Sequence, residues 1–489
     1  MANRALLACM SRTIAAGRVA TLLGGFDRAP AYKGLAEGLR VLVIDGRLPV
    51  GTRLPSEREL TDALDVSRTT VARAYAELRD HGFLVSRQGS GSVTTLPHAW
   101  GRTTDHVLHP GDNEAGAIDL RVAAPNPVPG MLAAYERAVA ELPAHLLGTG
   151  YHPTGLPVLR EAVAASYAAR GLPTDPEQVL IVPGAQAGVA TAVRALVTTG
   201  DRVVVESPTY PNVIAALQHS GARLVGVDVP PDAATSGADA DGIDAALQQV
   251  RPRAAYLVPD FQNPTGALLS AGERARLAAT MARTRTVPIV DESIVALALD
   301  GQEMPPPFAA FAPGTVTAGS LSKTHWGGLR IGWLRLPEHL VDTVFRARLS
   351  LDLGVPPLEQ LVGAAVVDDP SLLEHRRAQL RESRAALTDA VAEHLPDWRP
   401  NRPGGGLSLW CQLPEPLSSA LVPRAAQHGV LLAAGPSFAP EGGLDRFVRL
   451  PFGQPAHVLV EAVERIGVAW RETLTEPTLL TRGRAALVS

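Results

Sequence analysis

The chain of 489 residues is 46% hydrophobic and 19% charged, with a formal net charge of −4 at pH 7. This length favours roughly two to four domains over one compact core, and the composition is that of an ordinary globular protein. No apolar run is long enough to span a bilayer. The two cysteines, Cys9 and Cys411, have no metal-ligand spacing and cannot form a disulfide framework. We therefore expect a reducing, cytoplasmic environment and no metal site.

The first 95 residues show a helical apolar pattern that ends in a hairpin. Residues 13–29 are amphipathic and precede a break at Pro30. Apolar residues recur at helical spacing from residue 31 to about residue 46, and two further helices begin at Ser56, a capping-box position, and at Ser67. Short apolar runs on either side of residues 88–91 predict a β-hairpin. These elements predict a winged helix-turn-helix domain over residues 1–95, in which residues 1–29 form an N-terminal extension.

The composition and the hydrophobic pattern change after residue 95. Residues 96–117 contain prolines, glycines and mixed charges, which predicts a linker. From Ile118 onward, short apolar strands alternate with helical stretches, which indicates an α/β domain with a mostly parallel sheet. From about residue 375 to 480 the elements follow another order, which predicts a small α+β subdomain within a large domain spanning 118–480. The predicted strands are 179–182, 203–205, 224–227, 255–258, 288–290 and 316–318.

Three segments of the first domain carry a specific motif: residues 51–60 (GTRLPSEREL), 66–71 (VSRTTV) and 87–91 (RQGSG). Together they closely resemble the GntR-type winged helix, over roughly residues 31–95. Ser67 would cap the third helix, so that Arg68, Thr69 and Thr70 lie in the first turn, which a recognition helix presents to base edges. The resemblance therefore implies a domain that reads double-stranded DNA.

The expected DNA contacts are of two kinds. Arg68 can pair bidentately with guanine, whereas Arg58, at the start of the second helix, would anchor a phosphate. The alternative is a winged helix that never touches DNA, which the position of the arginines on the DNA-facing edge disfavours. The predicted DNA-binding residues are Arg58, Ser67, Arg68, Thr69, Thr70, Arg87, Gly89 and Gly91.

The segment 319–330 (GSLSKTHWGGLR) follows a predicted strand and contains Lys323, one of only two lysines in the chain. Arg330 comes seven residues later, beyond a Gly-Gly turn, and this spacing suits an imine-forming amine beside a phosphate-binding group. The segment closely resembles the Schiff-base segment of fold-type I aminotransferases. Ser320 and Lys323 also fit the serine β-lactamase signature. That family needs a separate Lys-Thr-Gly motif, however, and the other lysine, Lys33, is followed by Gly34.

Other motifs occur in the order expected of the aminotransferase fold, and the resemblance implies their roles toward pyridoxal 5′-phosphate. Gly184, Ala185 and Gln186 open a helix whose amides would hold the phosphate. Tyr210 would stack on the pyridine ring, Asn263 would hydrogen-bond its oxygen O3′, and Asp291 would keep its nitrogen protonated. Tyr151 matches a tyrosine that reaches the partner subunit's phosphate, and Arg449 matches the arginine that binds the substrate carboxylate. The predicted cofactor-binding residues are Gly184, Ala185, Gln186, Tyr210, Asn263, Asp291, Ser320, Lys323, Arg330 and Tyr151.

Some positions depart from the aminotransferase pattern. Pro183 and Ala185 stand where the family often has Ser or Thr, which removes two side-chain contacts to phosphate. The tyrosine that usually follows the aspartate and bonds O3′ is missing, because Ser293 and Ile294 occupy that stretch. Without this phenol we expect the pKa of the imine to be raised and amine exchange to be slower.

A GntR-type winged helix joined to an aminotransferase-like domain resembles the MocR family of regulators over nearly the whole chain. The resemblance implies a cytoplasmic homodimer that binds an operator and whose fold-type I domain senses an effector through the aldimine of Lys323. The effector could be an amino acid, another amine or pyridoxal 5′-phosphate itself. Two alternatives remain: a working aminotransferase with a secondary DNA-binding module, and a scaffold that has lost its cofactor.

Overall fold

The protein is described by a computed structural model over residues 13–44, 48, 52–87, 91–95, 108, 117–229, 239–367 and 369–475. The chain divides into two compact units. One comprises residues 1–105, 435–445 and 476–489, and the other comprises residues 106–434 and 446–475. Within the described ranges, no helix is long and apolar enough to cross a lipid bilayer.

The first unit contains the predicted winged helix. Leu39, Leu60 and Val71 lie at the centre of its apolar core and are fully buried. Ser56 and Glu59 form a reciprocal capping box, and the Ser67 hydroxyl accepts a hydrogen bond from the Thr70 N–H at 3.1 Å, so both predicted helix starts are found. Its elements are α1 (Ala16–Leu23), α2 (Ala31–Ile44), α3 (Glu57–Leu64), α4 (Arg68–Asp80), β1 (Leu84–Arg87) and β2 (Gly91–Thr94).

The N-terminal extension differs from its prediction. Helix α1 covers only part of the amphipathic stretch 13–29 because it ends at Gly24, which has φ 62°. A positive φ is easily adopted by glycine and stops the helical hydrogen-bond pattern. Val19 of α1 is fully buried in the same core as α2 and α4. The expected end of α2 near residue 46 and the wing tip at Gly89 lie outside the described residues.

The second unit consists of an α/β region followed by a smaller α+β region. The α/β region contains β3 (Ile118–Asp119), α5 (Met131–Glu141), α6 (Pro157–Ala169), β4 (Val179–Val182), α7 (Ala185–Leu196), β5 (Arg202–Ser207), α8 (Pro211–His219), β6 (Arg223–Asp228), α9 (Ala240–Val250), β7 (Ala254–Leu257), α10 (Ala271–Thr284), β8 (Val287–Asp291), α11 (Phe308–Phe311), β9 (Val316–Ser320), β10 (Gly332–Arg335), α12 (Glu338–Leu349) and α13 (Pro357–Val367). The smaller region contains α14 (Pro370–His394), β11 (Arg399–Pro400), β12 (Ser408–Gln412), α15 (Ser418–Gln427), β13 (Val430–Leu431), β14 (Ala433–Ala434), β15 (Phe447–Pro451) and α16 (Ala456–Thr475).

The central sheet has seven strands in the order β4-β10-β9-β8-β7-β5-β6. Strand β10 is antiparallel to β4 and β9, and the remaining neighbours are parallel, so the predicted mostly parallel sheet is confirmed. Sequence reasoning missed β10, a four-residue strand. Gly332 at its start permits a close approach to α7, since a Cβ there would lie 2.6 Å from the Gly184 carbonyl carbon.

A second sheet, in the order β11-β12-β15-β14, forms the smaller region together with the long helices α14 and α16. Trp398 and Trp470 pack edge to face in its core, with ring centroids 5.6 Å apart. Strand β3 from the start of the α/β region pairs with β13, which ties the two regions together. This arrangement brings β15, and Arg449 on it, to the same cavity as the carboxyl ends of the central strands.

Candidate functional site

A cavity of about 140 Å³ opens where β5, β7, β8 and β9 end. In open α/β sheets, ligands bind in the crevice outside the carboxyl ends of the strands, because the connecting loops diverge there. The sequence-predicted residues that line this cavity are Gly184, Ala185, Gln186, Tyr210, Asn263, Asp291, Ser320, Lys323, Arg330 and Arg449. One region of the fold thus brings together ten residues that are spread over 266 positions of the chain, from 184 to 449.

Lys323 stands on the turn that follows β9. Its amine donates a hydrogen bond to the Ala123 carbonyl at 2.8 Å. Burial, with Arg449 and Arg330 adding positive charge and Asp291 opposing them, lowers the pKa of Lys323 to about 8. At pH 7 about a tenth of such an amine is uncharged, against fewer than about one in a thousand for an ordinary lysine. The site therefore favours a nucleophilic lysine.

The N-terminus of α7 and the Arg330 side chain form a cationic cradle. Gly184 precedes the helix with φ 95°, and a Cβ at this position would lie 2.7 Å from Arg330 Nη2. Arg330 Nη2 donates to the Pro183 carbonyl at 2.5 Å. Helix N-terminal amides and a guanidinium on one concave surface are the donors that a phosphate group needs.

Asp291 is held by donors on both of its oxygens. Oδ1 accepts hydrogen bonds from the Ser293 N–H at 2.8 Å and the Ser293 hydroxyl at 2.5 Å, and Oδ2 accepts from the Tyr256 hydroxyl at 3.0 Å. Burial and the nearby Asp291 raise the pKa of Tyr256 well above its ordinary value, so the phenol stays a donor. Sequence reasoning missed Tyr256 because it lies in an apolar strand without a motif of its own.

Arg449 also lines the cavity and is only 2% exposed. Its Nη1 donates to Asn263 Oδ1 at 3.3 Å, and its Nη2 donates to the Arg121 carbonyl. Burial lowers the pKa of Arg449 to about 10, which still leaves it charged at neutral pH. A buried guanidinium can bind a carboxylate through a bidentate, charge-assisted pair.

Tyr210 lines the cavity, and its hydroxyl donates to Gln186 Oε1 at 3.2 Å. Burial raises the pKa of Tyr210 to about 12. Ser320 supports the lysine turn, because its hydroxyl donates to the Ile331 carbonyl at 3.2 Å and accepts from the Ser322 N–H at 3.0 Å. Tyr151 is placed elsewhere: its side chain is 64% exposed and does not line the cavity.

The predicted DNA-binding residues lie in the first unit, and those whose side chains are described are mostly exposed. Arg58 is exposed on α3, and Ser67, Arg68 and Thr69 are exposed around the start of α4. The Ser67 hydroxyl also contacts the Thr69 and Thr70 hydroxyls, at 3.0 and 2.8 Å. Gly91 is exposed at the base of the wing, the Arg87 backbone pairs with it, and Gly89 lies outside the described residues.

Comparison with known proteins gives two family matches. Residues 133–466 match the family described as Aminotransferase class I and II, and residues 31–93 match the Bacterial regulatory proteins, gntR family. The chain belongs to the class I and II aminotransferase family. Pyridoxal 5′-phosphate, the cofactor predicted from the sequence, is the cofactor of this family.

The relatives include both regulators and enzymes. The HTH-type transcriptional regulator YdcR of Escherichia coli is 28% identical over 447 residues, covering 86% of this chain and 94% of that protein. The probable rhizopine catabolism regulatory protein MocR of Rhizobium meliloti is 28% identical over 426 residues, covering 81% and 85%. The 2-aminoadipate transaminase of Thermus thermophilus is 30% identical over 334 residues, covering 66% of this chain and 82% of that one.

Among solved structures, LysN from Thermus thermophilus, an alpha-aminoadipate aminotransferase complexed with N-(5'-phosphopyridoxyl)-L-leucine, matches with a TM-score of 0.67 and 28% identity. The match covers 77% of this chain and 98% of that one. The matches to YdcR and MocR cover 86% and 81% of this chain, which is more than residues 133–466 of the aminotransferase match. The protein is therefore a GntR-type transcriptional regulator fused to a class I and II aminotransferase domain, like the MocR-type regulators.

Proposed function

We propose that the aminotransferase domain of this regulator carries pyridoxal 5′-phosphate on Lys323, senses an amino compound there and thereby changes operator binding by the winged helix. The proposal is carried by one observation: Lys323, the α7–Arg330 cradle, Asp291 and Arg449 all face a single cavity. The proposal keeps the domain limits predicted from the sequence: a winged helix over 1–95, a linker over 96–117 and an aminotransferase domain over 118–480.

The residues of the cavity fit the cofactor chemically. The Gly184–Gln186 amides and Arg330 would hold the phosphate, for which Gly184 leaves room that a Cβ would fill. Tyr210 would pack against the ring, Asn263 would face its oxygen O3′, and Asp291 would face its nitrogen. When bound, the cofactor supplies a carbonyl carbon for the Lys323 amine and an electron-withdrawing ring.

Arg449 gives the proposed effector its chemical class. The guanidinium is buried at the cavity, where it donates hydrogen bonds to Asn263 Oδ1 and to the Arg121 carbonyl. A guanidinium at the cavity can bind a ligand carboxylate through a bidentate, charge-assisted pair. We therefore expect an amino acid to be preferred over the corresponding simple amine.

A homodimer is part of the proposal. Exposed apolar side chains lie on α5 and on the turn after it, close in sequence to Tyr151: Leu132, Val139, Leu146 and Leu147. Large exposed apolar side chains on neighbouring elements are typical of an interface. Tyr151, which the cavity of its own subunit does not use, would then be available to the partner's phosphate site.

The test uses the purified holoprotein and matched pairs of amino acids and their decarboxylated amines. The visible absorbance of the bound cofactor and the affinity for the DNA upstream of its own gene are measured with each compound. We expect one amino acid to change both signals, and its decarboxylated partner to change them at a concentration higher by about tenfold or more. Loss of the visible band in all preparations, or an absorbance change without any effect on DNA affinity, would contradict the sensor function.

A working aminotransferase is the second candidate, because Lys323, Asp291 and Arg449 together are also the residues such an enzyme needs. We expect turnover to be slow or absent. Ser293 and Ile294, which line the cavity, occupy the stretch where the phenol that bonds O3′ is expected, so the group that would keep the imine pKa low is missing there. A panel of amino acids with 2-oxoglutarate or pyruvate decides between the two. Several turnovers per second with no change in DNA affinity would favour the enzyme.

A further inference from the structure

Leu108 belongs to the predicted linker between the winged helix and β3, and its backbone is held by one side chain of the aminotransferase domain. Asn212 Oδ1 accepts a hydrogen bond from the Leu108 N–H at 2.7 Å, and Asn212 Nδ2 donates to the Leu108 carbonyl at 3.1 Å. A single amide thus satisfies both polar groups of one residue, as a neighbouring β-strand would. Asn212 lies on the first turn of α8 and is 7% exposed, so water competes weakly for these bonds.

The same amide is connected to the cofactor cavity. Asn212 Nδ2 also lies 3.1 Å from Gln186 Oε1, which accepts the hydrogen bond from the Tyr210 hydroxyl. Leu108, Gln186 and Tyr210 all line the cavity that contains Lys323. One hydrogen-bond chain, Tyr210–Gln186–Asn212–Leu108, therefore runs from the proposed ring and phosphate sites to the linker.

We propose that Asn212 anchors the linker at Leu108 and that a filled cofactor site strengthens this anchor. The inference rests on the proposed function. A phosphate at the start of α7 would fix Gln186, and a ring packed on Tyr210 would fix its phenol, so Gln186 Oε1 is held where it orients the Asn212 amide. The Leu108 side chain, at the cavity wall, also gains a neighbour when the cavity is occupied.

The anchor changes the length of the connection to the DNA-reading domain. Between Thr95, the last described residue of the hairpin region, and Ile118 of β3 there are 22 residues, 96–117. With Leu108 anchored, only residues 96–107 remain, which is 12. Because the maximum reach of a connection grows with its length, the anchor leaves a connection of shorter maximum reach. Occupancy of the cavity is thereby communicated to DNA binding.

A protease site inside the linker makes this testable. Arg102 is the only lysine or arginine among residues 96–117, so trypsin has a single site there. Leu108→Pro removes the backbone N–H that donates to Asn212 Oδ1. Val107→Pro introduces a proline one position earlier and leaves the Leu108 N–H in place. Asn212→Ala removes the anchor from the other side. Cleavage after Arg102 is followed in the full-length protein with saturating pyridoxal 5′-phosphate and after its removal.

In wild type and Val107→Pro, we expect cleavage to be slower by about fivefold when pyridoxal 5′-phosphate is bound, as strengthening roughly one hydrogen bond would give. In Leu108→Pro and Asn212→Ala, cleavage should be fast and nearly independent of the cofactor. Equal rates for Leu108→Pro and Val107→Pro in both states would overturn the anchor. The visible absorbance band keeps the two proposals apart. If the band is absent, the cofactor does not bind and the proposed function is wrong. The anchor is still tested in that case, because the cleavage rates of the two proline variants are compared in the cofactor-free protein.

Discussion

The winged helix and the aminotransferase domain present their candidate functional side chains in opposite ways. In the winged helix, the Arg68 side chain is 78% exposed, and its nearest acidic partner is Glu57, with the two charged groups 3.7 Å apart. In the aminotransferase domain, Arg449 and Asp291 are buried, and Lys323 is hydrogen-bonded to a carbonyl at the cavity wall. The first surface is open to its ligand, and the second is organised before its ligand arrives.

This difference follows from the two ligands. A DNA duplex brings many phosphates and base edges, so exposed arginines contribute graded, salt-dependent increments. A small cofactor must be bound by few groups, which have to be fixed in advance. Removing an exposed residue therefore measures its contact, whereas removing a buried one also leaves its partners unpaired.

The largest effect is expected for the lysine. Lys323→Ala should abolish the visible absorbance band and the covalent label left by borohydride reduction, because the other lysine, Lys33, is exposed on α2. DNA binding should persist, since the winged helix has its own core. Peptide mapping after reduction is the measurement, and Lys33→Ala is the matched control that should keep the label. A label on Lys33 would refute the assignment of the cofactor lysine.

A smaller, graded loss of DNA affinity is expected for substitutions in the winged helix. Arg68→Ala should weaken binding to the cognate operator by about 1–3 kcal/mol and relax the base preference, because a bidentate contact to guanine is lost. Arg58→Ala, the control for a phosphate contact, should weaken cognate and random DNA alike and reduce the salt dependence by about one phosphate contact. Titration at several salt concentrations measures both. Wild-type affinity of Arg68→Ala would show that α4 is not the recognition helix.

The next prediction concerns pH and tests how far burial organises the cavity. With a pKa of about 8, the Lys323 amine loses its proton as the pH rises through 8, so cofactor-free protein should bind pyridoxal 5′-phosphate about tenfold faster per pH unit below 8 and level off above. Absorbance after rapid mixing measures this rate. Arg449→Met removes a charge that lowers the pKa of Lys323, so the inflection should move to higher pH. A wild-type inflection at the ordinary lysine value would contradict a cavity that disfavours the protonated amine.

The sequence predicted most in places where local chemistry determines structure. The caps at Ser56 and Ser67 place two helices without tertiary information, and the apolar alternation after Ile118 gives the parallel strands. Apart from Tyr151, the predicted cofactor-binding residues lie at or after the end of a strand in a recognisable motif. Parallel strands then bring those motifs to one edge, which is a property of the sheet rather than of any single motif.

The sequence predicted least where a contact joins distant parts of the chain. In the sequence, Tyr256 is an ordinary strand residue. Its hydroxyl can donate to Asp291 only because the neighbouring strand β8 places Asp291 next to it. Asn212 reads as a residue in the first turn of a helix, and its partner Leu108 lies 104 positions away. For the missed strand β10, Gly332 is a local signal, since a glycine at such a position indicates a close approach of two backbone segments.

The smallest expected effect belongs to Tyr256, and it tests whether the cavity is organised in advance. Tyr256→Phe keeps the shape of the side chain but removes the hydroxyl that donates to Asp291 Oδ2 at 3.0 Å. In the cofactor-free protein the buried carboxylate then lacks one donor, which costs about 1–2 kcal/mol and should lower the thermal midpoint by roughly 1–3 °C. With pyridoxal 5′-phosphate bound, the ring nitrogen would offer Asp291 a replacement donor, so the loss should shrink. Thermal unfolding of the wild type and of Tyr256→Phe, with and without the cofactor, measures the difference.

Tyr167→Phe is the matched control. The buried Tyr167 hydroxyl accepts a hydrogen bond from Trp333 Nε1 at 3.2 Å, and Tyr167 does not line the cavity. Its loss should be the same in both states. An equal loss for Tyr256→Phe with and without the cofactor would mean that Asp291 does not face the ring nitrogen.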